Sequence, residues 1–152
     1  MEGTFLKKKE IAAICNQLEK HWGFQEPLPY LFFQTRQRRV SLLNKEFAVV
    51  DTSKLRINSV GMYFCEIMNN QEVRLSIEGS QIVGHFASRN VLSVDEKQVK
   101  QWLYGQDVEI SSADVEGFVI LLFGSYFIGC GRYKEGIISN HVSKNRRIGT
   151  LN

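Results

Sequence analysis

The feature that most restricts the possible fold is an apolar run near the C-terminal end of the sequence, GFVILLFGSYFIGCGRY (117–133). Residues 118–123 are rich in β-branched and aromatic types and lie between Gly117 and Gly124, which predicts a buried strand. Gly124 and Ser125 form a tight-turn signal, so the next segment is expected to return antiparallel. The run therefore predicts a hydrophobic hairpin around which the rest of the chain packs.

Glycines and then basic residues follow the hairpin turn. Gly129 and Gly131 interrupt the returning strand, where glycine typically marks a bulge or a close approach of the backbone. A second turn at 134–136 leads into a short apolar segment and then into a basic end at 144–147. This arrangement predicts a strand end that binds anions, and it contains no enzyme signature.

Positive charge is concentrated in three short clusters, KKK at 7–9, RQRR at 36–39 and KNRR at 144–147. Each cluster contains three basic residues and no acidic residue. Together the clusters hold nine of the 19 lysines and arginines in a chain of formal net charge +3. Segregated cationic charge is typical of surfaces that bind nucleic-acid phosphates. For any one cluster taken alone, an unrelated solvated run is the alternative.

Other features of the sequence argue against several classes of protein. The longest apolar run is too short to cross a bilayer and the N-terminal residues lack a secretory signal, so a soluble cytoplasmic protein is expected. Cys15, Cys65 and Cys130 form no C-x-x-C pair, which argues against a zinc knuckle or a disulfide framework and favours core packing. No two histidines share a metal-ligand spacing, so neither a metal nor a cofactor is expected.

The first half of the sequence predicts a mixture of helices and strands. Apolar residues at three- and four-residue spacings predict a helix over 7–20 that ends at Gly23. Short β-type runs follow, of which 61–67 is the clearest, and residues 77–86 favour a short helix. The prediction for 1–87 is an N-terminal α+β domain.

The second half begins with the best-marked helix of the sequence. Ser93 and Glu96 fit a capping box, in which the serine hydroxyl accepts a hydrogen bond from the Glu96 amide. Gly105 supplies a stop after a helix over 93–104. With the hairpin that follows, this order predicts a small and mostly β barrel over 88–152.

The helix and the hairpin together resemble a PUA domain, the RNA-binding module named for pseudouridine synthases and archaeosine transglycosylases. NVLSVDEKQVKQWLYGQDV (90–108) is similar to the start of such a domain, and GFVI (117–120) with IGCGR (128–132) is similar to its hairpin and glycine-bearing strand. The resemblance implies an α+β chain, with an N-terminal α/β subdomain followed by a small PUA-like mixed β-barrel. It also implies that RNA is the partner.

The end of the chain is similar to the tail of the Nop/Sun family of RNA cytosine-5 methyltransferases, where a glycine, an asparagine and a final basic pair close the sequence. The matching residues are Gly136, Asn140, Lys144, Arg146 and Arg147. YLFF (30–33) and LSIEGS (75–80) resemble the region between the catalytic domain and the PUA domain in archaeal members. Ser143 is a departure, because that tail often carries proline before the basic residue.

The catalytic half of that family has no counterpart in this sequence. Nop/Sun enzymes attack cytosine through a cysteine in a Pro-Cys dipeptide, and proline precedes none of the cysteines here. Gly129-x-Gly131 lies in a strand pattern, so it lacks the context of a dinucleotide fingerprint. The resemblance therefore implies a non-enzymatic, RNA-binding tail with no catalytic residues.

The residues expected to contact RNA are basic, polar or aromatic residues of the hairpin end and of two basic clusters. They are Arg132, Tyr133, Asn140, His141, Lys144, Arg146, Arg147, Arg36, Arg38 and Arg39. The lysine and arginine side chains would neutralise phosphates of a structured tRNA or rRNA. Asn140 or His141 would form a hydrogen bond of shorter range, and Tyr133 would contact a nucleobase. The alternative is a protein-interaction module that docks onto a separate RNA methyltransferase and assists it in trans.

Overall fold

The structure is a computed structural model that describes residues 2–111 and 114–149. The elements of its first half are β1 (Gly3–Phe5), α1 (Lys8–Trp22), β2 (Leu31–Thr35), β3 (Arg39–Leu43), a 3₁₀ helix (Lys45–Val49), β4 (Met62–Ile67), β5 (Val73–Leu75) and α2 (Ile77–Gly84). Those of its second half are β6 (Val91–Ser93), α3 (Glu96–Leu103), β7 (Val108–Glu109), β8 (Gly117–Phe123), β9 (Tyr126–Lys134), β10 (Ile137–Ser139) and a 3₁₀ helix (Lys144–Arg146).

The first sheet contains β1 to β5, paired antiparallel in sequence order. Helix α1 packs on it through the stripe formed by Ile14, Leu18 and Trp22, all of them buried. The helix ends where the sequence predicts, because Gly23 adopts the left-handed conformation (φ 72°) and its amide donates to the Glu19 carbonyl at 2.8 Å.

The second sheet has the strand order β6-β8-β9-β10-β7. Strand β6 is parallel to β8 and the other pairs are antiparallel, including the predicted hairpin of β8 and β9. The α+β class is therefore confirmed. Strands β6 and β7 form the two edges of this sheet, and no pairing within the described residues joins them to close the predicted barrel.

Helix α3 begins two residues later than the Ser93 capping box predicts. The N-cap is Asp95, whose carboxylate accepts from the Gln98 amide at 2.8 Å, while the Gln98 side chain accepts from the Asp95 amide at 2.8 Å. Ser93 instead pairs with Leu122 in the parallel ladder of β6 and β8. The prediction was wrong because pairing with a distant strand holds Ser93 in extended backbone, and the overlapping box at Asp95 then starts the helix.

Strand β8 contributes side chains to both hydrophobic clusters of the protein. Phe118 and Ile120 pack into the cluster that includes α1 and the first sheet. Val119 and Leu121 pack into the cluster built around Trp102 of α3. Because successive side chains of a strand point to opposite faces, one strand joins the two clusters. The hairpin thus belongs to the second sheet and contributes side chains to both hydrophobic clusters.

Helix α2 and the connector after it hold the two sheets in one arrangement. Gly84 lies against the ring of Phe127 in β9, so closely that a Cβ atom there would overlap the ring. Arg89 donates to the carbonyls of Glu19 and Lys20 at 2.7 Å, which adds a side-chain donor to the acceptors at the C-terminal end of α1. No helix in the described part of the chain is long and apolar enough to cross a membrane.

Candidate functional site

A small cleft of about 170 Å³ lies between the first sheet and the C-terminal segment of the chain. Three arginines line it: Arg39 at the start of β3, Arg74 in β5 and Arg146 in the final 3₁₀ helix. His141, in the segment between β10 and that helix, lines it as well. We call this feature, defined by these four residues, the arginine cleft.

Strand periodicity directs the first two arginines away from the core. Arg74 lies between Val73 and Leu75, both buried, so its own side chain projects from the opposite face of β5. Arg39 precedes the fully buried Val40 and is exposed for the same reason. Both arginines are therefore placed by local alternation.

The C-terminal wall of the cleft is anchored by a buried apolar residue. Val142 packs into the cluster around Trp102 and thereby fixes the chain on both sides of it. His141 precedes Val142, and the 3₁₀ helix that carries Arg146 begins two residues after it. The anchor brings both polar side chains to the first sheet.

Two carboxylates partly neutralise the arginines of the cleft. Glu66 Oε2 lies 2.7 Å from Arg74 Nη2 and 3.9 Å from Arg39 Nε. Glu78 Oε1 lies 2.8 Å from Arg146 Nη1. Three cations therefore face two anions, which leaves an excess of positive charge when the histidine is neutral.

His141 is held as a neutral donor at the edge of the cleft. Arg74 Nη1 lies 3.2 Å from His141 Nδ1, and because a guanidinium only donates, Nδ1 accepts and the ring proton lies on Nε2. Burial lowers the pKa of His141, and the positive charge of Arg74 lowers it further. The ring also packs edge-on against Phe118, with centroids 6.5 Å apart.

The first turn of α2 forms a further wall of the cleft. Ser76 caps this helix, with its hydroxyl accepting from the Gly79 amide at 2.9 Å and donating to the Tyr63 carbonyl at 2.6 Å. The amides of Ile77 and Glu78 have no acceptor within the described residues, and both residues line the cleft. The helix therefore presents unpaired donors where the arginines converge.

Two predicted site residues are neighbours in β9. Arg132 Nη1 forms an ion pair with Glu72 of the first half at 3.1 Å, and its guanidinium lies 5.1 Å from the centroid of the Phe118 ring. Tyr133 is half-buried and packs on the second hydrophobic cluster. The contacts of Arg132 join the two halves, and an RNA-binding role for either residue stays a prediction.

Two more predicted site residues brace the C-terminal segment. The Asn140 side chain donates to the carbonyls of Trp102 (2.8 Å) and Gln106 (3.0 Å), and it accepts from the Val142 amide (2.8 Å). Arg147 Nε donates to the Val142 carbonyl at 2.9 Å. The structure gives both residues contacts that support the fold, while contact with RNA stays a prediction for each.

The arginines of the middle cluster are distributed over different parts of the surface. Arg36 pairs with Glu2 at 2.7 Å, both side chains being exposed. Arg38 lines a separate depression beside α1. Arg39 alone of this cluster joins Arg146 in the arginine cleft. The structure therefore does not bring the complete middle and C-terminal clusters together into one continuous basic surface.

Sequence reasoning missed residues that the cleft depends on. Arg74, Glu66 and Glu78 supply one of its cations and both of its carboxylates, but none belongs to a charge cluster. The alternation of Val73, Arg74 and Leu75 was a signal that Arg74 projects from its sheet. No local pattern indicated that it would face the C-terminal segment.

Two of the three cysteines lie in the core as the sequence predicts, whereas Cys15 is half-buried and belongs to neither hydrophobic cluster. Cys65 and Cys130 are buried, and burial raises the pKa of both thiols, to about 12 for Cys130. Cys15 is half-buried, and burial raises the pKa of its thiol too. Within residues 2–111 and 114–149, no group of three or more His, Cys, Asp or Glu side chains is placed to hold a metal ion.

Comparison with known families adds an independent finding for the second half of the chain. Residues 89–148 match the family model described as the methyltransferase RsmF PUA domain. No curated protein matches the chain. The matched residues include α3, the whole second sheet and the final 3₁₀ helix. His141 and Arg146 thus lie inside the matched region, whereas Arg39 and Arg74 lie outside it.

Proposed function

Since residues 89–148 form a PUA domain that resembles the C-terminal region of Sun-family methyltransferases, we propose that the chain binds structured RNA. A tRNA or rRNA is the ligand, in the context of RNA modification or ribosome biogenesis, and the chain acts by binding and not by catalysis. The observation that carries the proposal is the PUA domain together with the excess positive charge of the adjoining arginine cleft. The cytoplasmic location expected from the sequence stays a prediction.

Exposed cations of the cleft and of the adjoining 3₁₀ helix supply the phosphate contacts. Lys144 is exposed and forms no salt bridge within the described residues, and it begins the 3₁₀ helix that ends with Arg146. The side chains of Arg146 and Arg39 are 49% and 56% exposed, so both are accessible to a large ligand. Each cation that neutralises a phosphate releases counterions, which makes the affinity depend on salt.

A binding role agrees with the state of the cysteines. A cysteine attacks cytosine as its thiolate, which needs a lowered pKa and access to the substrate. Burial raises the pKa of all three thiols here, and Cys65 and Cys130 are buried. Cys65 and Cys130 therefore support the interior of the protein and are not placed as nucleophiles.

Binding to tRNA and to rRNA fragments at several salt concentrations tests the proposal. If three or four phosphates are neutralised, the logarithm of the association constant should fall with the logarithm of salt at a slope of about −3. Lys144→Glu should weaken binding and flatten the slope, whereas Lys97→Glu, on the exposed face of α3, is the control of equal charge change. Affinity that ignores salt, or equal loss in both variants, would overturn the proposal.

A second candidate function, docking onto a separate RNA methyltransferase, is favoured by exposed apolar side chains after β3. Val49, Val50 and Leu55 are 88%, 47% and 57% exposed. They lie within seven residues of one another in the sequence, and a contiguous exposed apolar patch typically marks a protein interface. Association with a purified Sun-family catalytic domain after ribonuclease treatment would support this candidate, and its loss in Val49→Asp but not in Lys45→Ala would locate the interface. Association that disappears with the RNA would reject it.

A further inference from the structure

We infer that the arginine cleft is a binding site for one phosphate group, held jointly by the first half of the chain and by the PUA domain. The inference deepens the proposed function and rests on it where RNA is the source of the phosphate. Arg39 and Arg74 belong to the first sheet, whereas His141 and Arg146 belong to the matched domain. A ligand held by all four would make the first half part of the RNA interface.

The charge of the cleft matches a monoanion. The guanidinium groups of Arg39, Arg74 and Arg146 face the carboxylates of Glu66 and Glu78, and His141 is neutral. Counted over these arginines and the carboxylates that pair with them, one positive charge remains uncompensated. A phosphodiester carries one negative charge, so its entry would balance the site without removing any carboxylate.

The arginines retain donors for such an anion. Arg39 Nε lies 3.9 Å from the nearest oxygen of Glu66, too far for a hydrogen bond, so its donors remain available. Arg146 Nη1 lies 2.8 Å from Glu78 Oε1, and within the described residues its other side-chain nitrogens donate no hydrogen bond. Guanidinium groups bind phosphate oxygens in a bidentate manner, so two arginines facing one another can hold one phosphate from two sides.

Neutral donors complete the site. The unpaired amides of Ile77 and Glu78 lie at the positive end of α2, where a helix favours an anion. His141 adds the Nε2–H that its contact with Arg74 leaves free. These donors are secondary to the three arginines, because a helix terminus alone would not distinguish this cleft from any other helix start.

The size of the cleft limits what can enter it. Its volume of about 170 Å³ lies below the range of roughly 300–1,000 Å³ that holds a drug-sized ligand. A phosphate group with its ester oxygens fits this volume, while the attached nucleosides would remain outside. The ligand is therefore a phosphate group, which either an RNA backbone or a free phosphate can supply.

Nuclear magnetic resonance titration of the whole chain tests the inference. The probes are inorganic phosphate and a short single-stranded RNA without terminal phosphates. Binding in the cleft should shift the amide signals of Ile77 and Glu78 and the ring signals of His141. Arg39→Gln and Arg146→Gln should each weaken binding about tenfold or more, since each removes a charge-assisted contact.

The control is Arg36→Gln, the same substitution at an exposed, ion-paired arginine outside the cleft. Unchanged amide signals, or equal weakening in Arg36→Gln and Arg39→Gln, would overturn the inference. Saturable binding of the short RNA that is weakened by Arg39→Gln and Arg146→Gln but not by Arg36→Gln identifies the phosphate as part of an RNA backbone. Binding of inorganic phosphate without binding of the short RNA identifies it as free phosphate.

Two combinations of results separate this inference from the proposed function. Salt-dependent tRNA or rRNA binding that Arg39→Gln and Arg146→Gln leave unchanged would reject the phosphate site and leave the proposed function standing. Inorganic phosphate bound in the cleft by a chain that binds neither RNA would reject the proposed function and leave the site standing. Thermal unfolding of each variant, compared with that of the parent chain, shows that the fold is retained.

Discussion

The indole of Trp102 lies directly against the backbone of Gly129, where an added Cβ atom would be 2.9 Å from the indole Nε1. The same Nε1 donates to the carbonyl of Ile128 at 3.2 Å. The register of β8 and β9 shifts at this point, and Gly129 has a φ of 150°, a conformation that other residues rarely adopt. The predicted glycine bulge thus admits the buried side chain that fixes α3 to the second sheet.

Gly129→Ala should lower the free energy of unfolding by about 2–4 kcal/mol, because strain in the backbone adds to overpacking against Trp102. Urea denaturation measures the loss. Gly124→Ala is the matched control, since Gly124 also has a positive φ (59°) but nothing lies within 4 Å of its added Cβ. Its cost should be about 1–2 kcal/mol from the backbone alone. Equal losses would show that the contact with Trp102 contributes nothing.

Asp95→Ala should cost about 1 kcal/mol of stability, because it leaves the Gln98 amide without its acceptor at the start of α3. Ser93→Ala should change stability by less than about 0.5 kcal/mol, since Ser93 is exposed and accepts no hydrogen bond from the helix. Chemical denaturation of the two variants provides the comparison. A larger loss of stability in Ser93→Ala than in Asp95→Ala would show that Ser93 caps the helix, as the sequence predicts.

The sequence predicted the hairpin correctly and the start of α3 incorrectly, and the two cases differ in how far apart in sequence the deciding residues lie. The hairpin of β8 and β9 could be predicted because a β-branched and aromatic run and the glycines that bound it are signals carried by neighbouring residues. The start of α3 could not, because the choice between Ser93 and Asp95 depended on pairing with β8, a strand more than twenty residues away.

The arginine cleft depends on contacts that are still more distant in sequence. Arg38 and Arg39 are adjacent, yet the positive φ of Arg38 (63°) and the turn direct them to different depressions. Arg39 and Arg146 converge only after the two sheets pack together. Charge clustering therefore indicated the class of ligand, whereas the grouping of residues required the fold.

Asn140→Ala should lower the free energy of unfolding by about 1–3 kcal/mol, because it leaves the Gln106 carbonyl and the Val142 amide without partners and removes one of the donors to the Trp102 carbonyl, which keeps the Gly105 amide at 3.0 Å. Urea denaturation measures this loss. Arg146→Ala should change stability by about 1 kcal/mol or less, because its ion pair with Glu78 is about half exposed. A stable Asn140→Ala variant with impaired RNA binding would instead support the direct contact that the sequence predicts.

In the native state, Cys65 and Cys130 should react with a thiol-specific reagent at pH 8 far more slowly than they do in denaturant. Both side chains are buried, and burial raises the pKa of both thiols. Cys15, which is half-buried, should react first. Mass spectrometry of partially labelled protein identifies the order. Rapid native labelling of Cys130 would contradict its place in the core.

The stability of the protein should fall more steeply on acidification when His141 is present. Its pKa in the folded chain is lowered, mainly by burial and next by the positive charge of Arg74. Arg132 also lowers this pKa, whereas the carboxylates of Asp107 and Glu66 raise it. As the pH falls below about 6.5, the unfolded chain takes up a proton that the folded chain resists. This contribution is therefore fully present above that pH and is lost as the pH falls through the lowered pKa of the folded state.

His141→Gln isolates this contribution, because an amide oxygen can accept from Arg74 without titrating. We expect the free energies of unfolding of the parent chain and of the variant to diverge below about pH 6.5. They are measured between about pH 8 and pH 5 in steps of about half a pH unit. The carboxylates common to both chains cancel in the difference. Parallel curves would mean that His141 titrates alike in both states, and a curve for the parent chain that rises on acidification would mean that its pKa is raised by folding.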